Sequence, residues 1–278
     1  APRDLHSFPT RRSSDLFRSA QPVWPAGRER EKNLTLGFRA VFEAPAQAGA
    51  VLRVTGSSVY RIYLNGAFLG YGPVRGPHGY ARVDEWDLAG RVGSGTNVVA
   101  IEVAGYNVNS YYLLDQPAFL QAEVVAEGRV LASTAGGDGG GVMFEAQILP
   151  ERAQRVQRYS FQRPFSEVYG LAPETGEWRT NTLWMGQAVT CAVQPAFKLL
   201  PRRAPYPDFG RRAPAFLVAT GAVAAGELPV RLWKDRSLTG IGPRLGGYTE
   251  QEIGVVPSVE LQRYTNVALR SILQPLRE

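Results

Sequence analysis

Two short stretches concentrate the side chains that do polar chemistry. Asp84-Glu85-Trp86-Asp87 sets three carboxylates beside an indole, and Tyr106-Asn107-Val108-Asn109-Ser110-Tyr111-Tyr112 mixes amides with phenols. Such sets suit a sugar, whose paired hydroxyls meet carboxylate and amide groups while an aromatic ring covers the apolar C–H face. Asp84, Trp86, Asp87, Asn107, Asn109 and Tyr112 are therefore the candidate carbohydrate-binding residues. Asp and Asn oxygens also suit Ca²⁺. A structural alternative stands beside each reading: Asp87 accepting turn N–H groups, Trp86 plugging a core. Paired carboxylates serve glycoside hydrolysis too, but Asp84 and Asp87 lie too close on one strand end to flank a scissile bond from opposite sides. No catalytic residue is assigned.

Other chemistry finds little footing. The chain lacks G-x-x-x-x-G-K-[ST], G-x-S-x-G, H-E-x-x-H and C-x-x-C patterns, and Gly70-x-Gly72 is followed by Gly76, the wrong spacing for a dinucleotide turn. Its single Cys excludes a disulfide framework within the chain, and two His leave no room for a His-rich metal centre. His78, in Gly76-Pro77-His78-Gly79, reads as a turn residue more readily than a general base. Asn33-Leu34-Thr35 is a glycosylation sequon placed where a strand begins, which reads as chance.

Strands must position these residues. Gly and Pro make up 50 of 278 residues, too many for long helices. Period-two alternation predicts strands over Leu34–Glu43, Ala50–Thr55, Ser58–Leu64, Ala67–Tyr71, Ala81–Asp87, Asn97–Tyr106, Phe119–Ala126, Val130–Thr134 and Val142–Leu149. Asn65-Gly66 is a strong hairpin signal, because both residues accept positive φ. Turns every 8–15 residues favour an all-β, antiparallel sandwich over a parallel α/β sheet.

The expected organisation is an N-terminal sandwich over 17–200 with its core in 28–150, a Pro/Arg linker over 201–214, and an incomplete second β-domain over 215–278. That second domain draws on Ala215–Val223, Val230–Trp233 and Gly254–Val256. Ser258 to Glu278 reads either as an amphipathic helix capped by Ser258 or as part of a strand pair. His6 to Leu16 resembles one reading frame of a sequencing adaptor, so residues 1–16 are expected to be an unselected, disordered leader and the chain a fragment of something longer.

The formal charge of +6 needs locating before it says anything about partners. Residues 17–150 hold 11 basic and 12 acidic residues, whereas 151–278 hold 17 and 11. The excess lies in Arg152, Arg155, Arg158 and Arg163, and in Arg202, Arg203, Arg211 and Arg212. The first group alternates with Val156, Tyr159 and Phe161 and predicts a strand with a solvated Arg face; the second falls in the linker. No basic-plus-aromatic stacking platform accompanies them, so no nucleic-acid partner is expected. No run of 18 apolar residues exists, and no membrane partner is expected.

Three blocks in order resemble the entry of bacterial α-L-rhamnosidase-like glycoside hydrolases. They are Val23-Trp24-Pro25-Ala26-Gly27-Arg28-Glu29 with Gly37-Phe38-Arg39-Ala40-Val41-Phe42, then Tyr60 through Pro73, then Asp84-Glu85-Trp86-Asp87-Leu88 with Gly95 through Val103. The resemblance covers about 23–150 well and 151–278 loosely. It implies an accessory β-sandwich, jelly-roll in style, ahead of an (α/α)₆ barrel that carries the catalytic carboxylates. The chain then corresponds to the non-catalytic N-terminal part, structural or weakly carbohydrate-binding. Its implied partners are rhamnose-containing glycans of plants or microbes and the catalytic domain of its own chain. Some relatives bind rhamnose with Ca²⁺ on the corresponding sandwich. The alternative is a free-standing carbohydrate-binding β-sandwich protein.

Overall fold

The computed structural model describes residues 16–45, 49–135, 141–158, 160–184, 186–210, 212–226, 243–249, 251–253 and 263–275. Residues 1–15, the glycine run 136–140, Tyr159, and the expected segments 230–233 and 254–256 with the Ser258 cap lie outside them. In chain order the strands are β1 (Val23–Pro25), β2 (Leu34–Ala44), β3 (Ala50–Ser57), β4 (Val59–Leu64), β5 (Ala67–Gly72), β6 (Tyr80–Asp87), β7 (Gly95–Gly105) and β8 (Phe119–Ala126). Then follow β9 (Arg129–Ser133), β10 (Val142–Met143), β11 (Glu145–Ile148), β12 (Ala188–Val189), β13 (Cys191–Val193), β14 (Lys198–Pro201), β15 (Phe216–Gly226) and β16 (Arg263–Pro275). The described residues form no α-helix, only 3₁₀ turns such as Glu177–Arg179.

Two sheets face each other as a sandwich. One runs β10-β9-β8-β3-β6-β14, with β1 on β8 and β13 on β1; the other runs β12-β11-β2-β7-β4-β5. Pairing is antiparallel except at β9/β10 and β6/β14. β2 and β7 pair in unbroken register over their full length, from Leu34 with Gly105 to Ala44 with Gly95. Phe38, Ile62, Ile101 and Val103 from one sheet and Leu52, Val54, Leu120 and Val124 from the other form the shared core. Each such side chain contributes about 1.5–3 kcal/mol through burial.

Expected and observed strands agree closely from residue 34 to 148. The Asn65-Gly66 turn has the predicted backbone, with φ of 50° and 79°. Asn65 also works at a distance, its Oδ1 accepting from the Val98 amide at 2.8 Å and its Nδ2 donating to Asn97 Oδ1 at 3.0 Å.

Several strands are buried on both faces, which simple alternation does not anticipate. β8 is buried throughout because Leu16 to Ala20 and Phe197 lie over its outer side. Glu123 on β8 anchors that cover, accepting from the Arg18, Ser19 and Ala20 amides and from Arg53. The outer side of β7 is covered by Leu149 and Trp178.

Two expectations change in the later part of the chain. Residues 155–158 and 160–163 form loop, not strand, and Arg152 and Arg158 are buried rather than solvated. Residues 263–275 form β16, which pairs with β15 in a separate two-stranded sheet, so the strand alternative applies there and not the helix.

Burial raises the Cys191 thiol to about 11. At pH 8 the thiolate fraction is then about 0.1%, so alkylation by iodoacetamide is expected to run roughly a hundredfold slower than in the urea-unfolded chain. Mass spectrometry of timed aliquots checks this; equal rates would contradict it.

Candidate functional site

Asp84 and Trp86 leave β6 toward the interior, and their surroundings come from three other parts of the chain. Tyr60 on β4, in the opposite sheet, donates its hydroxyl to Asp84 Oδ2. Arg202 donates from Nη1 to Asp84 Oδ1 at 3.1 Å, while its other nitrogens bind the Ala204 and Pro205 carbonyls at 2.8 and 2.9 Å. Asp84 is wholly buried. Burial pushes its carboxyl above the usual carboxylate range, against the pull of Tyr60 and Arg202 in the opposite direction.

Trp86 donates weakly to the Tyr60 hydroxyl at 3.4 Å. Its ring is covered by Tyr206 at 4.7 Å and Phe209 at 5.4 Å. Gly70 and Gly72 on β5 make room for this cluster: a Cβ at Gly70 would run into Trp86, and one at Gly72 into Asp84 and Tyr60. The glycine pair serves packing. Up to Phe209, the Pro/Arg stretch is thus held on the sandwich: β14 pairs with β6, Arg202 reaches Asp84, and the Tyr206 hydroxyl donates to the Glu85 carbonyl at 2.7 Å. Asp87 is exposed, its Oδ1 accepting from the Ala89 amide at 2.9 Å, a turn contact.

Asn107, Asn109 and Tyr112 lie elsewhere, in the loop after β7. Asn107 is buried with φ of 50°, and its Nδ2 donates to the Glu29 and Glu31 carbonyls at 3.0 and 2.9 Å. Asn109 is exposed and its Oδ1 accepts from the Asp115 amide at 2.9 Å. Tyr112 is exposed beside Tyr111, whose ring meets Phe161 edge to face at 5.3 Å. The six candidates therefore form two groups, a closed one around Asp84 and Trp86 and an open one around Asn109 and Tyr112.

Arg158 holds the open group in place. Its guanidinium donates to the carbonyls of Asn109, Arg163 and Leu245, joining three separate segments. Arg75 adds a 2.6 Å bond to the Tyr111 carbonyl. Beside this loop a partly buried ionic network lies on the outer face of the second sheet: the buried Glu102 on β7 faces Arg61, Arg152 and Arg179 at 3.6, 3.8 and 3.4 Å. Tyr169 accepts from Arg152 at 2.6 Å and donates to Glu167 at 3.3 Å. Phe161, Arg158 and Arg163 were expected on a strand and not among the candidate site residues. Their one signal was the Arg-aromatic alternation, which predicted a strand.

These residues do not fit Ca²⁺. Arg202 already holds Asp84, Asp87 serves its own turn, and Asn107 turns its N–H groups to carbonyls. Among the described residues no group of three or more His, Cys, Asp or Glu is placed to hold a metal ion. A hard cation needs six to eight converging oxygens without a competing guanidinium. Asn33 of the sequon is fully buried, its Nδ2 donating to the Gln154 carbonyl at 2.7 Å, so it is no glycosylation acceptor in this fold. His78 is exposed in the β5–β6 loop.

Fold and site together define a β-sandwich with an aromatic loop surface and a sealed carboxylate. A GH78 family rhamnosidase of Bacillus sp. GL1 shares this fold, with TM-score 0.62 and 26% identity over 75% of this chain and 22% of that one. A native α-L-rhamnosidase from Aspergillus terreus aligns with TM-score 0.50 and 14% identity over 67% of this chain and 22% of that one. The chain thus spans about a fifth of the length of these relatives. No protein-family model and no curated protein sequence matches it.

Proposed function

We propose that this chain is the non-catalytic part of an α-L-rhamnosidase-like glycoside hydrolase, with a structural or weakly carbohydrate-binding role. The observation that carries this reading is the likeness to the Bacillus rhamnosidase, which takes in most of this chain and under a quarter of that one. The site supports it. A general acid must reach its substrate, and the fully buried Asp84 is held by Tyr60 and Arg202. Glu102 and Glu123, also buried, are each occupied by arginines or backbone amides. On this reading the partners are rhamnose-containing glycans and a catalytic domain of the same polypeptide, and the sandwich and the residues after 215 are separate units.

The exposed Tyr111, Tyr112 and Phe161 rings favour a second reading, a free-standing carbohydrate-binding β-sandwich protein. Sequencing the reading frame past Glu278 separates the two: a helical barrel supports the first and a stop codon the second. The test of the first is incubation with p-nitrophenyl α-L-rhamnoside. The expected result is no p-nitrophenol release above buffer at micromolar protein. Turnover that survives repurification would overturn the non-catalytic assignment.

A further inference from the structure

We propose that the surface formed by Tyr111, Tyr112 and Phe161 binds a saccharide ring carrying a carboxylate, with Arg163 and Arg75 as its charge partners. This rests on the carbohydrate reading above and adds the chemical class of the ligand.

Exposure is the first ground. Tyr111 is 66% exposed, Tyr112 44% and Phe161 40%; Tyr111 packs on Phe161, and Tyr112 is the next residue along the same loop. Rings left half in water give up part of the burial they could gain, and clustered exposed rings mark binding sites. Edge-to-face packing of Tyr111 on Phe161, with ring planes at 68°, leaves an L-shaped apolar surface on which the C–H face of a sugar can rest.

Rigidity is the second. Arg158 ties the Asn109 carbonyl to the Arg163 carbonyl, so the two loops that supply the rings are linked through one buried guanidinium. That guanidinium lies 5.6 Å from the Phe161 ring centre. The Ser110 hydroxyl accepts from the Tyr112 and Leu113 amides at 3.2 and 3.1 Å. A surface already ordered loses little entropy when a ligand lands on it.

Charge is the third, and it selects the ligand. Arg163 is exposed, lies two residues from Phe161, and its carbonyl is tied through Arg158 to the loop that carries Tyr111 and Tyr112. Arg75 is exposed and joined to Tyr111 through its carbonyl. The nearby Glu167 is drawn to Arg61 and Arg152 at 3.4 and 3.5 Å, which leaves Asp115 as the exposed acid of this loop. Guanidinium groups beside an aromatic surface favour a planar anion, and a uronate carboxylate supplies one on a ring that stacks. Single-stranded nucleic acid also stacks on rings beside arginines. Here the exposed acids Glu167 and Asp115 belong to the same neighbourhood, Glu167 through its pairs with Arg61 and Arg152 and Asp115 through its amide bond to Asn109, which favours one charged sugar over a run of phosphates.

The experiment is calorimetric titration of the whole chain with trigalacturonate and with its carboxyl-reduced form, at low and at 0.5 M salt. The acidic form is expected to bind about tenfold tighter at low salt, and the preference to shrink as salt screens the exposed charges. Arg163→Gln is expected to reduce the preference, and Arg163→Gln with Arg75→Gln to remove it, while neutral binding stays; Phe161→Ala is expected to weaken both ligands, and unchanged melting temperatures confirm that the variants fold. Equal affinity for the two forms, no binding of either, an Arg163→Gln variant indistinguishable from wild type, or a single-stranded oligonucleotide that outcompetes the sugar would each overturn the proposal. Neutral binding without acid preference sinks this proposal and spares the accessory reading. Rhamnoside hydrolysis by the chain sinks the accessory reading and spares the acid preference.

Discussion

Replacing Asp84 with Ala is expected to cost the sandwich about 3–5 kcal/mol, because it leaves a nearly buried guanidinium without its counter-charge. Arg202 would keep its Ala204 and Pro205 carbonyls but lose its one carboxylate, and the buried Tyr60 hydroxyl would lose its acceptor. Urea unfolding followed by Trp fluorescence measures the loss, and a change below about 1 kcal/mol would show that the cluster contributes little beyond packing. Asp84→Asn separates charge from shape. It retains an oxygen for Tyr60 and removes the cost of burying a charged carboxylate, so its loss is expected to be smaller than that of Ala.

The pH dependence has a definite sign. The folded-state carboxyl of Asp84 titrates above its unfolded value, so the native chain holds that proton more tightly. The resulting stabilisation is complete below the unfolded value, near about 3.9, and is lost as pH rises through the folded one. Relative to Asp84→Asn, the wild type is therefore expected to gain stability as pH falls from 7 toward 4. A wild type that loses ground to the Asn variant over that interval would reverse the assignment.

Arg158→Ala is the second large effect. Burial pulls this guanidinium below its usual range, yet arginine remains charged at any working pH. Its removal deprives the Asn109, Arg163 and Leu245 carbonyls of a charged donor and opens a cavity beneath Phe161. The expected loss is about 2–4 kcal/mol. Lys cannot restore it, since a compact ammonium does not span three divergent acceptors as the planar fork does. Hydrogen exchange gives the more specific readout. Residues 106–113 and 243–249 should lose protection together, because one side chain holds both. If only one segment loosens, the clamp does not join them. Tyr248 gives the second segment its own hold, through its hydroxyl to the Lys32 carbonyl at 2.6 Å and its ring on Phe165 at 5.6 Å.

Much of the sandwich was legible because its signals are local. Asn65-Gly66 announces its turn through the backbone freedom of two adjacent residues. The alternation of Val59–Leu64 survives intact as a strand with alternate faces buried. The stretch Arg152 to Arg163 shows where such signals fail. An arginine every few residues has the same pattern whether it faces water or a shell of carbonyls. What decides is the arrival of Asn109 and Leu245, distant in sequence, within reach of Arg158. Asp84 and Trp86 teach the same lesson from the other side. Their residue types suit a sugar, but Tyr206, Phe209 and Arg202 arrive from more than a hundred residues away and occupy those groups.

The sequence by itself determined the strands, the tight turns and the class of chemistry on offer, since these depend on side-chain period, backbone freedom and residue type. Tertiary structure decided which candidates remain available. It sealed Asp84 and Trp86 under β14 and the residues that follow, and left Tyr112 open with Tyr111 and Phe161 beside it. The physical reason is that exposure and charge pairing belong to contacts between distant segments, and no local pattern along the chain encodes them.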